Sequence, residues 1–250
     1  MNWQHFIIIP AYNEEKRIEK TVRDYSEYFE ERAEILIVLN GCRDKTGEIA
    51  RDLKKNLSNI EYLEFSEAIG KGRAVQEGFK HAINSNYNLL STTYQLIGFV
   101  DADEATSPEE YERLAGLIGE ADGVIGSRFL RGAQVFGRSF LRNIAGYKFH
   151  LIVKILFNLP YKDTQCGVKI FKTAALKKIL PELKVSNMAF DVEMLAMAQK
   201  YGLKIKEIPT IWNGQPESGA LGSPISLIKN GWKMFWTLVE LRKRIKKQEL

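Results

Sequence analysis

The stretch Leu96-Ile97-Gly98-Phe99-Val100-Asp101-Ala102-Asp103-Glu104 passes from an apolar run directly into three carboxylates. An apolar run of this kind, bounded by polar residues, predicts a buried inner strand of a parallel sheet. Ligands of open α/β sheets bind at the carboxyl ends of such strands. Asp101 and Asp103 are two residues apart, so both side chains point the same way in extended backbone. Their oxygens suit a hard divalent cation, and we predict a Mg²⁺ or Mn²⁺ site at Asp101 and Asp103.

An isolated Asp-x-Asp also occurs in ordinary turns, so the rest of the chain has to support this interpretation. The chain has 250 residues, 45% of them hydrophobic and 27% charged, as in ordinary water-soluble proteins. Cys42 and Cys166 have neither the spacing of a zinc site nor that of a disulfide framework, which favours a reducing compartment. We find neither a signal-peptide pattern nor an apolar run of about 18 residues, and we therefore expect a cytoplasmic protein.

Strand-like and helix-like patterns alternate four times in the first 115 residues or so. This alternation predicts a doubly wound, mainly parallel α/β sheet flanked by helices. Asn13, Asn40 and Asp101 follow the first, second and fourth strand patterns, so we expect them along one crevice of nucleotide size. The first strand is predicted to stop at Pro10, and Asn13 is predicted to cap a helix that begins at Glu14.

The second half is less regular and divides into fewer elements. The patterns predict strands at 123–127, 167–171 and 205–212 and helices at 140–157 and 190–201. A Gly-, Pro- and Ser-rich loop at 214–224 precedes a final helix at 226–247. We predict one domain over residues 1–215, made of a first half at 1–105 and a second half at 106–215. Residues 216–250 form the loop and an amphipathic, basic C-terminal helix.

Several short motifs in a fixed order carry a family resemblance. They are Ile9-Pro10-Ala11-Tyr12-Asn13-Glu14-Glu15, Gly70-Lys71-Gly72, Asp101-Ala102-Asp103, Gly126-Ser127-Arg128 and Asp163-Thr164-Gln165-Cys166-Gly167 with Lys169-Ile170-Phe171. Together they resemble the family 2 glycosyltransferases of the GT-A (Rossmann-like) fold over about residues 5–212. The last motif is similar to the branch of dolichyl-phosphate glucosyltransferases and dolichyl-phosphate mannose synthases. One departure is Leu39-Asn40-Gly41-Cys42, where the family usually has Asp-Gly-Ser and uses the aspartate to contact the base.

The resemblance implies a metal-dependent, inverting transferase that moves a hexose from a nucleoside diphosphate sugar to a polyprenyl or dolichyl phosphate. It makes residues 1–105 the nucleotide-sugar half of the domain and residues 106–215 the acceptor half. UDP-glucose is the favoured donor and GDP-mannose the second. The implied catalytic residues are Asp103, Arg128 and Asp191. The implied nucleotide-binding residues are Pro10, Ala11, Tyr12, Asn13, Glu14, Asn40, Lys71, Asp101, Ala102 and Asp103.

The acceptor decides which chemistry the site needs. A lipid phosphate arrives largely ionised and needs cations to position it, and guanidinium groups do this well. The predicted acceptor-phosphate residues are Arg128, Arg131, Arg138, Arg142, Asp163 and Gln165. A sugar hydroxyl would instead need a general base, for which Asp191 is the candidate. Transfer to a hydroxyl of a polysaccharide or glycolipid therefore stays open, as does a non-catalytic nucleotide-sugar-binding protein.

The last helix combines aromatic residues such as Trp232 and Trp236 with a strongly basic end. This composition favours a helix that lies on an anionic membrane surface, on the cytoplasmic side. Packing on the protein's own core or in a homodimer is the alternative. The apolar face of the 140–157 helix, with Phe149, Ile152 and Val153, is expected to join the same membrane-facing surface. We expect no nucleic-acid binding, because the basic residues are interleaved with apolar ones and no nucleic-acid module is present.

Overall fold

A computed structural model describes residues 5–88, 94–138, 140–214 and 224–248, without the side chains of 85–88, 140–143, 224–230 and 248. The strands are β1 (His5–Ala11), β2 (Ala33–Asn40), β3 (Ile60–Phe65), β4 (Leu96–Phe99), β5 (Gly123–Ser127), β6 (Gln134–Phe136), β7 (Lys169–Lys172), β8 (Ile205–Pro209) and β9 (Ile211–Asn213). The helices are α1 (Ile18–Phe29), α2 (Thr46–Asn56), α3 (Lys71–Asn88), α4 (Pro108–Gly116), α5 (Phe140–Phe157), α6 (Thr173–Ile179), α7 (Phe190–Lys200) and α8 (Pro224–Gln248).

Seven strands form one sheet in the order β3-β2-β1-β4-β7-β5-β8. Every neighbouring pair is parallel except those that involve β7, which runs antiparallel to both β4 and β5. The predicted α/β class and its GT-A-like architecture are confirmed. Because β1, β2 and β4 are parallel neighbours, the loops that leave them meet at one edge of the sheet.

The inner strands are apolar without alternation because both faces of the sheet are covered. On β1, Phe6 and Ile8 pack into one buried cluster, and Ile7 and Ile9 pack into the other. Helices α3, α5, α6, α7 and α8 contribute to the first cluster, and α1, α2 and α4 contribute to the second. A parallel strand buried on both sides has no solvent face and therefore reads as a continuous apolar run.

The predictions for the first loop are wrong in two respects. Strand β1 continues through Pro10 to Ala11. Its pairing with β4 ends at Ile8, so no backbone N–H is required from residue 10 on that side. Helix α1 begins at Ile18 rather than at Glu14. Asn13 does not cap it, since its backbone is left-handed with φ 56°.

The predicted single strand at 205–212 is also wrong. Strand β8 ends at Pro209, and Thr210 donates its N–H to the oxygen of Ser127 at 3.1 Å. The chain then leaves the main sheet as β9 and pairs in parallel with β6. Residues 205–213 therefore contribute one strand to each of two sheets, whereas a single strand was expected.

Helix α8 packs on the domain along one side. Leu238, Leu241 and Ile245 are buried in the same cluster as α7. Arg244 of α8 is ion-paired with the buried carboxylate of Glu193 on α7. Among the described helices, none is long and apolar enough to cross a membrane. The loop predicted at 214–224 lies, except at its ends, outside the described residues.

His5 predicts an acid-dependent loss of stability. Burial lowers the pKa of its imidazole from 6.5 to about 4, and Nδ1 has no hydrogen-bond partner within the described part of the chain. As the pH falls below about 6.5 the unfolded chain takes up a proton that the folded chain accepts only near pH 4. Stability therefore falls with decreasing pH through this window, by roughly 3 kcal/mol in all.

We expect His5→Phe to keep the aromatic packing with Phe29 and Tyr111 and to remove this dependence. Urea unfolding at pH 7.5 and at pH 4.5 measures it, with His81→Gln as the control at a half-buried histidine. Equal pH dependence in the wild type and in His5→Phe would contradict the prediction.

Candidate active site

The loops after β1 and β2 are joined to each other by hydrogen bonds. Asn13 Oδ1 accepts from the backbone N–H of Arg43 at 2.8 Å, and the N–H of Glu14 donates to Thr46 Oγ1 at 2.7 Å. Tyr12, between them and β1, keeps about half of its side chain exposed. The predicted nucleotide-binding segment 10–14 is thus fixed to the loop after β2, and the ring of Tyr12 is exposed.

Asn40 lies at the end of β2 and is buried. Its Oδ1 accepts from the N–H of Ile69 at 2.7 Å, and Gly41, with φ 67°, lies tightly against the backbone of Ala68. Asn40 thus holds the segment that leads into the Gly70-Lys71-Gly72 motif. Its contact with a base stays a prediction.

The Asp-x-Asp turn follows β4, whose pairing with β1 continues through Val100 N–H to Ile8 O at 3.0 Å. Asp101 Oδ1 accepts a hydrogen bond from Lys71 Nζ, and Asp103 Oδ1 accepts from the N–H of Ala105 at 3.1 Å. Burial and then the charge of Asp101 raise the pKa of Asp103. The two carboxylates therefore repel each other in a site that is partly neutralised by one lysine.

A divalent cation fits this donor set. Asp101 and Asp103 offer two carboxylates, and within the described residues no group of three or more His, Cys, Asp or Glu side chains offers a fuller set of protein ligands. Mg²⁺ and similar ions are commonly held by one or two carboxylates, with water and substrate phosphates as the other ligands. The raised pKa of Asp103 fits as well, because a cation would relieve the repulsion that raises it.

Gly167 provides the space for the Asp101 carboxylate. A Cβ at this position would overlap Asp101 Oδ2. We expect Gly167→Ala to displace that carboxylate, to cost about 1–3 kcal/mol of stability and to lower turnover about a hundredfold. Gly116→Ala is the matched control, because a Cβ there meets no atom within 4 Å. Steady-state kinetics of both variants test this prediction, and full activity in Gly167→Ala would contradict it.

The Gly70-Lys71-Gly72 motif lies against the segment that enters α7. Gly70 has φ 89°, and a Cβ on Gly72 would overlap Phe190. The N–H of Arg73 donates to Ser186 O at 3.2 Å. This close approach brings Lys71, the first residue of α3, next to the carboxylates of Asp101 and Asp191. Burial opposes the charge of Lys71, but Asp101 and then Asp191 hold its pKa above the usual value.

Asp191 is held by a fully buried lysine. Lys169 Nζ donates to Asp191 Oδ1 at 2.5 Å and to Cys166 O at 2.7 Å. Gln165 Nε2 lies 3.4 Å from Asp191 Oδ2. Burial raises the pKa of Asp191, and the charges of Lys169 and then Lys71 oppose this. Asp191, the candidate base, therefore lies near the positive charges of two lysines, Lys169 and Lys71.

Arg128 makes its bidentate contact within the protein. Its Nε and Nη2 donate to the two oxygens of Asp163 at 2.7 and 2.9 Å, and its backbone N–H donates at 3.0 Å. Its guanidinium also lies 5.5 Å from the ring centroid of Trp212. Although burial alone would raise the pKa of Asp163, Arg128 holds it below its usual value. Nη1 is the guanidinium nitrogen that Asp163 does not engage.

The other predicted acceptor residues are placed differently. Arg131 is exposed in the loop after β5. The Arg138 guanidinium lies 4.9 Å from the ring centroid of Phe129 and against Gly146 of α5. The side chain of Arg142 lies outside the described residues.

Sequence reasoning assigned no role to Lys169 or Trp212. A lysine between Val168 and Ile170 in a strand pattern is a usable signal, because a charge on a buried strand needs a partner. Trp212 had no such signal, since its contact with Arg128 depends on the turn of the chain from β8 into β9.

Comparison with known proteins shows which family the chain belongs to. Residues 6–180 match the model "Glycosyl transferase family 2". The chain belongs to glycosyl transferase family 2. It is 35% identical to a dolichyl-phosphate beta-glucosyltransferase of Trichomonas vaginalis over 82% of this chain, and it covers 63% of that protein. It is 34% identical to the dolichyl-phosphate beta-glucosyltransferase of Saccharomyces cerevisiae, over 94% of this chain and 73% of that protein.

The chain thus spans somewhat less than two thirds of the length of the first of these family 2 relatives. Among solved structures, the glucosyl-3-phosphoglycerate synthase of Mycobacterium tuberculosis is similar, with a TM-score of 0.67 and 17% identity. The match covers 96% of this chain and 80% of that one. That enzyme was crystallised with Mn²⁺, uridine diphosphate and glucosyl-3-phosphoglycerate. At this identity the likeness shows a shared fold and nothing further.

Proposed function

We propose that this family 2 chain is a metal-dependent, inverting glucosyltransferase that moves glucose from UDP-glucose to a polyprenyl phosphate of the dolichyl type. It would work as a peripheral protein on the cytoplasmic face of a membrane. The names of the similar proteins support the substrate class. The observation that carries the proposal is the contact between Asp191 and buried Lys169, because it removes the best candidate for a general base.

That contact supports a phosphate as the acceptor rather than a hydroxyl. A sugar hydroxyl must lose its proton during transfer, so it needs a base. Protonation of Asp191 would leave the charge of Lys169 buried without its anionic partner, which is expensive. A phosphate monoester has a second pKa near 6 and is largely ionised at neutral pH. An acceptor of this kind attacks without a base and needs only cationic groups that hold it.

Each side of the site then has a role in a single displacement. An acceptor phosphate oxygen forms the new bond to the anomeric carbon as the bond from that carbon to the diphosphate breaks. Pro10, Ala11, Tyr12, Asn13, Glu14, Asn40 and Ala102 would frame the nucleoside. A metal ion held by Asp101 and Asp103 would supply Lewis-acid stabilisation of the leaving diphosphate. Lys71 adds a positive charge at the amino end of α3.

On the acceptor side, Arg128 is the first candidate to hold the phosphate through Nη1, with its orientation fixed by Asp163. Arg131 is exposed and free of the packing that restrains Arg138, so it would add a second cation. Arg142 is retained as a candidate on its sequence position alone. Gln165 and Asp191 would organise this half of the site rather than react.

The test supplies labelled UDP-glucose or GDP-mannose in parallel, with Mn²⁺ or Mg²⁺ and a short polyprenyl phosphate in detergent. We expect label in the organic phase from UDP-glucose, with loss of transfer in EDTA and recovery when the metal is restored. The matched acceptor is the same polyprenol without phosphate, which should receive nothing. Equal transfer to the free polyprenol would overturn the acceptor assignment, and transfer from GDP-mannose alone would overturn the donor.

A further inference from the structure

Helix α5 carries an apolar stripe on the side that faces away from the core. Tyr147, Leu151 and Ile155 follow one another at intervals of four residues, so they lie on one face of the helix. Their exposed fractions are 68%, 49% and 74%. The face that the sequence analysis expected to look outward, with Val153, is instead packed on the core. The helix is therefore apolar on both sides, and the prediction selected the wrong one.

Helix α8 repeats this arrangement beside α5. Its Leu238 and Leu241 are buried in the same cluster that Val153 of α5 enters. Trp232 and Trp236, again four residues apart, are 64% and 50% exposed. The two helices pack against each other, so their outer sides form neighbouring surface. We name this surface the apolar patch and define it as Tyr147, Leu151, Ile155, Trp232 and Trp236.

The charges on the two helices that carry the apolar patch are predominantly positive. Helix α5 has no acidic residue, and its Lys148 and Lys154 are exposed. Helix α8 has seven basic residues and one acidic residue, Glu240. Amphipathic helices that lie on membranes combine aromatic and aliphatic residues with Lys and Arg in this way. Anionic headgroups attract such basic residues when they lie near the membrane surface.

We propose that the apolar patch docks the protein on an anionic lipid bilayer, with Tyr147, Leu151 and Ile155 of α5 as its centre. This inference rests on the proposed function, because a lipid-linked acceptor has to enter the site from a membrane. The patch is continuous with the acceptor side, since the Arg138 guanidinium lies against Gly146, the residue before Tyr147. Docking would therefore bring the acceptor-side arginines to the level of the headgroups.

A second copy of the chain is the competing occupant. A two-fold dimer brings the same patch of both copies together. The predominantly basic surroundings of one copy, which include Lys148, Lys154 and Lys233, would then lie against the equally basic surroundings of the other, which opposes association. An anionic bilayer complements these charges and accepts the apolar side chains, so the charge pattern favours lipid.

The test is sedimentation with vesicles of phosphatidylcholine, with and without phosphatidylglycerol. We expect binding to the anionic vesicles that weakens with salt. The double variant Leu151→Ser with Ile155→Ser should bind roughly 30–100-fold more weakly, from the apolar area that is no longer buried. Leu117→Ser is the matched control, because Leu117 is 45% exposed at the far end of α4. Thermal unfolding of each variant reports whether it is folded.

The outcomes separate this proposal from the proposed function. Glucose transfer to a short polyprenyl phosphate in detergent does not need a bilayer, so the double variant should keep wild-type turnover there. Unchanged vesicle binding in the double variant would overturn docking even if transfer is found. A concentration-dependent dimer that the variant dissociates, without vesicle binding, would assign the patch to a second copy. Variant-sensitive binding without transfer by either protein would support docking and refute the proposed function.

Discussion

Replacing Lys169 with methionine is expected to lower the free energy of unfolding by about 3–5 kcal/mol, because it leaves one charge of a buried pair without its partner. The Lys169 side chain is 0% exposed and contacts Asp191, Cys166 O and the ring face of Phe99. Methionine fills a similar volume, so the change removes charge rather than packing. Asp191 would then be buried beside Lys71 alone, and the Cys166 carbonyl would lose its donor.

Two further variants test whether the broken charge pair causes the loss of stability. Lys172→Met lies on the same strand, where Nζ reaches Gly119 O at the surface, and it should change stability by about 0.5 kcal/mol or less. Lys169→Met combined with Asp191→Asn should recover much of the loss, because no unpaired charge then remains. Chemical unfolding measures all three. A double variant as unstable as Lys169→Met alone would mean that the charge pair is not the reason.

Asp103→Asn should reduce the proposed glucosyl transfer about a thousandfold without destabilising the fold. Asparagine keeps the shape and an oxygen for the N–H of Ala105, but it removes one of the two negative charges that would hold the metal. Burial and the charge of Asp101 raise the pKa of Asp103, so its ionised form is disfavoured in the folded state. Neutralisation therefore leaves stability unchanged or higher at pH 7.

Glu104→Gln is the matched control, one residue later. Glu104 is ion-paired with Lys20, with Nζ–O distances of 2.6 and 2.8 Å, so its loss should change turnover by less than about threefold. The measurements are kcat/KM for UDP-glucose and the melting temperature. A large loss of stability in Asp103→Asn would show that the carboxylate supports the fold rather than the reaction.

The sheet and its functional edge could be predicted from the sequence because β1, β2 and β4 contain continuous apolar runs that lead into polar residues. Strands β6 and β9 could not, since three residues are too few to show alternation. The outward face of α5 could not be chosen either. A helix that is apolar nearly all round has no preferred side, so only packing decides that Val153 points inward and Ile155 outward.

At the site, the short motifs predicted which residues lie at the edge but not what they contact. Arg128 and Asp191 were both assigned to substrate, and the structure pairs them with Asp163 and Lys169. These partners lie 35 and 22 residues away along the chain, and such pairing is set by the sheet order. Residue type indicates that a buried charge needs a partner, and topology determines which partner it has.

The reversed direction of β7 has a consequence for how such enzymes diversify. Lys169, where β7 begins, is paired with Phe99, where β4 ends, so the stretch that enters β7 reaches the reactive edge. In its neighbours β4 and β5, which run in the opposite direction, only the stretch that leaves the strand does so. The connection from α5 to β7, which carries Asp163 and Gln165, can therefore change without altering the loops that leave β1, β2 and β4. We expect replacement of residues 158–168 by those of another relative to change the preferred acceptor and to leave the fold unchanged.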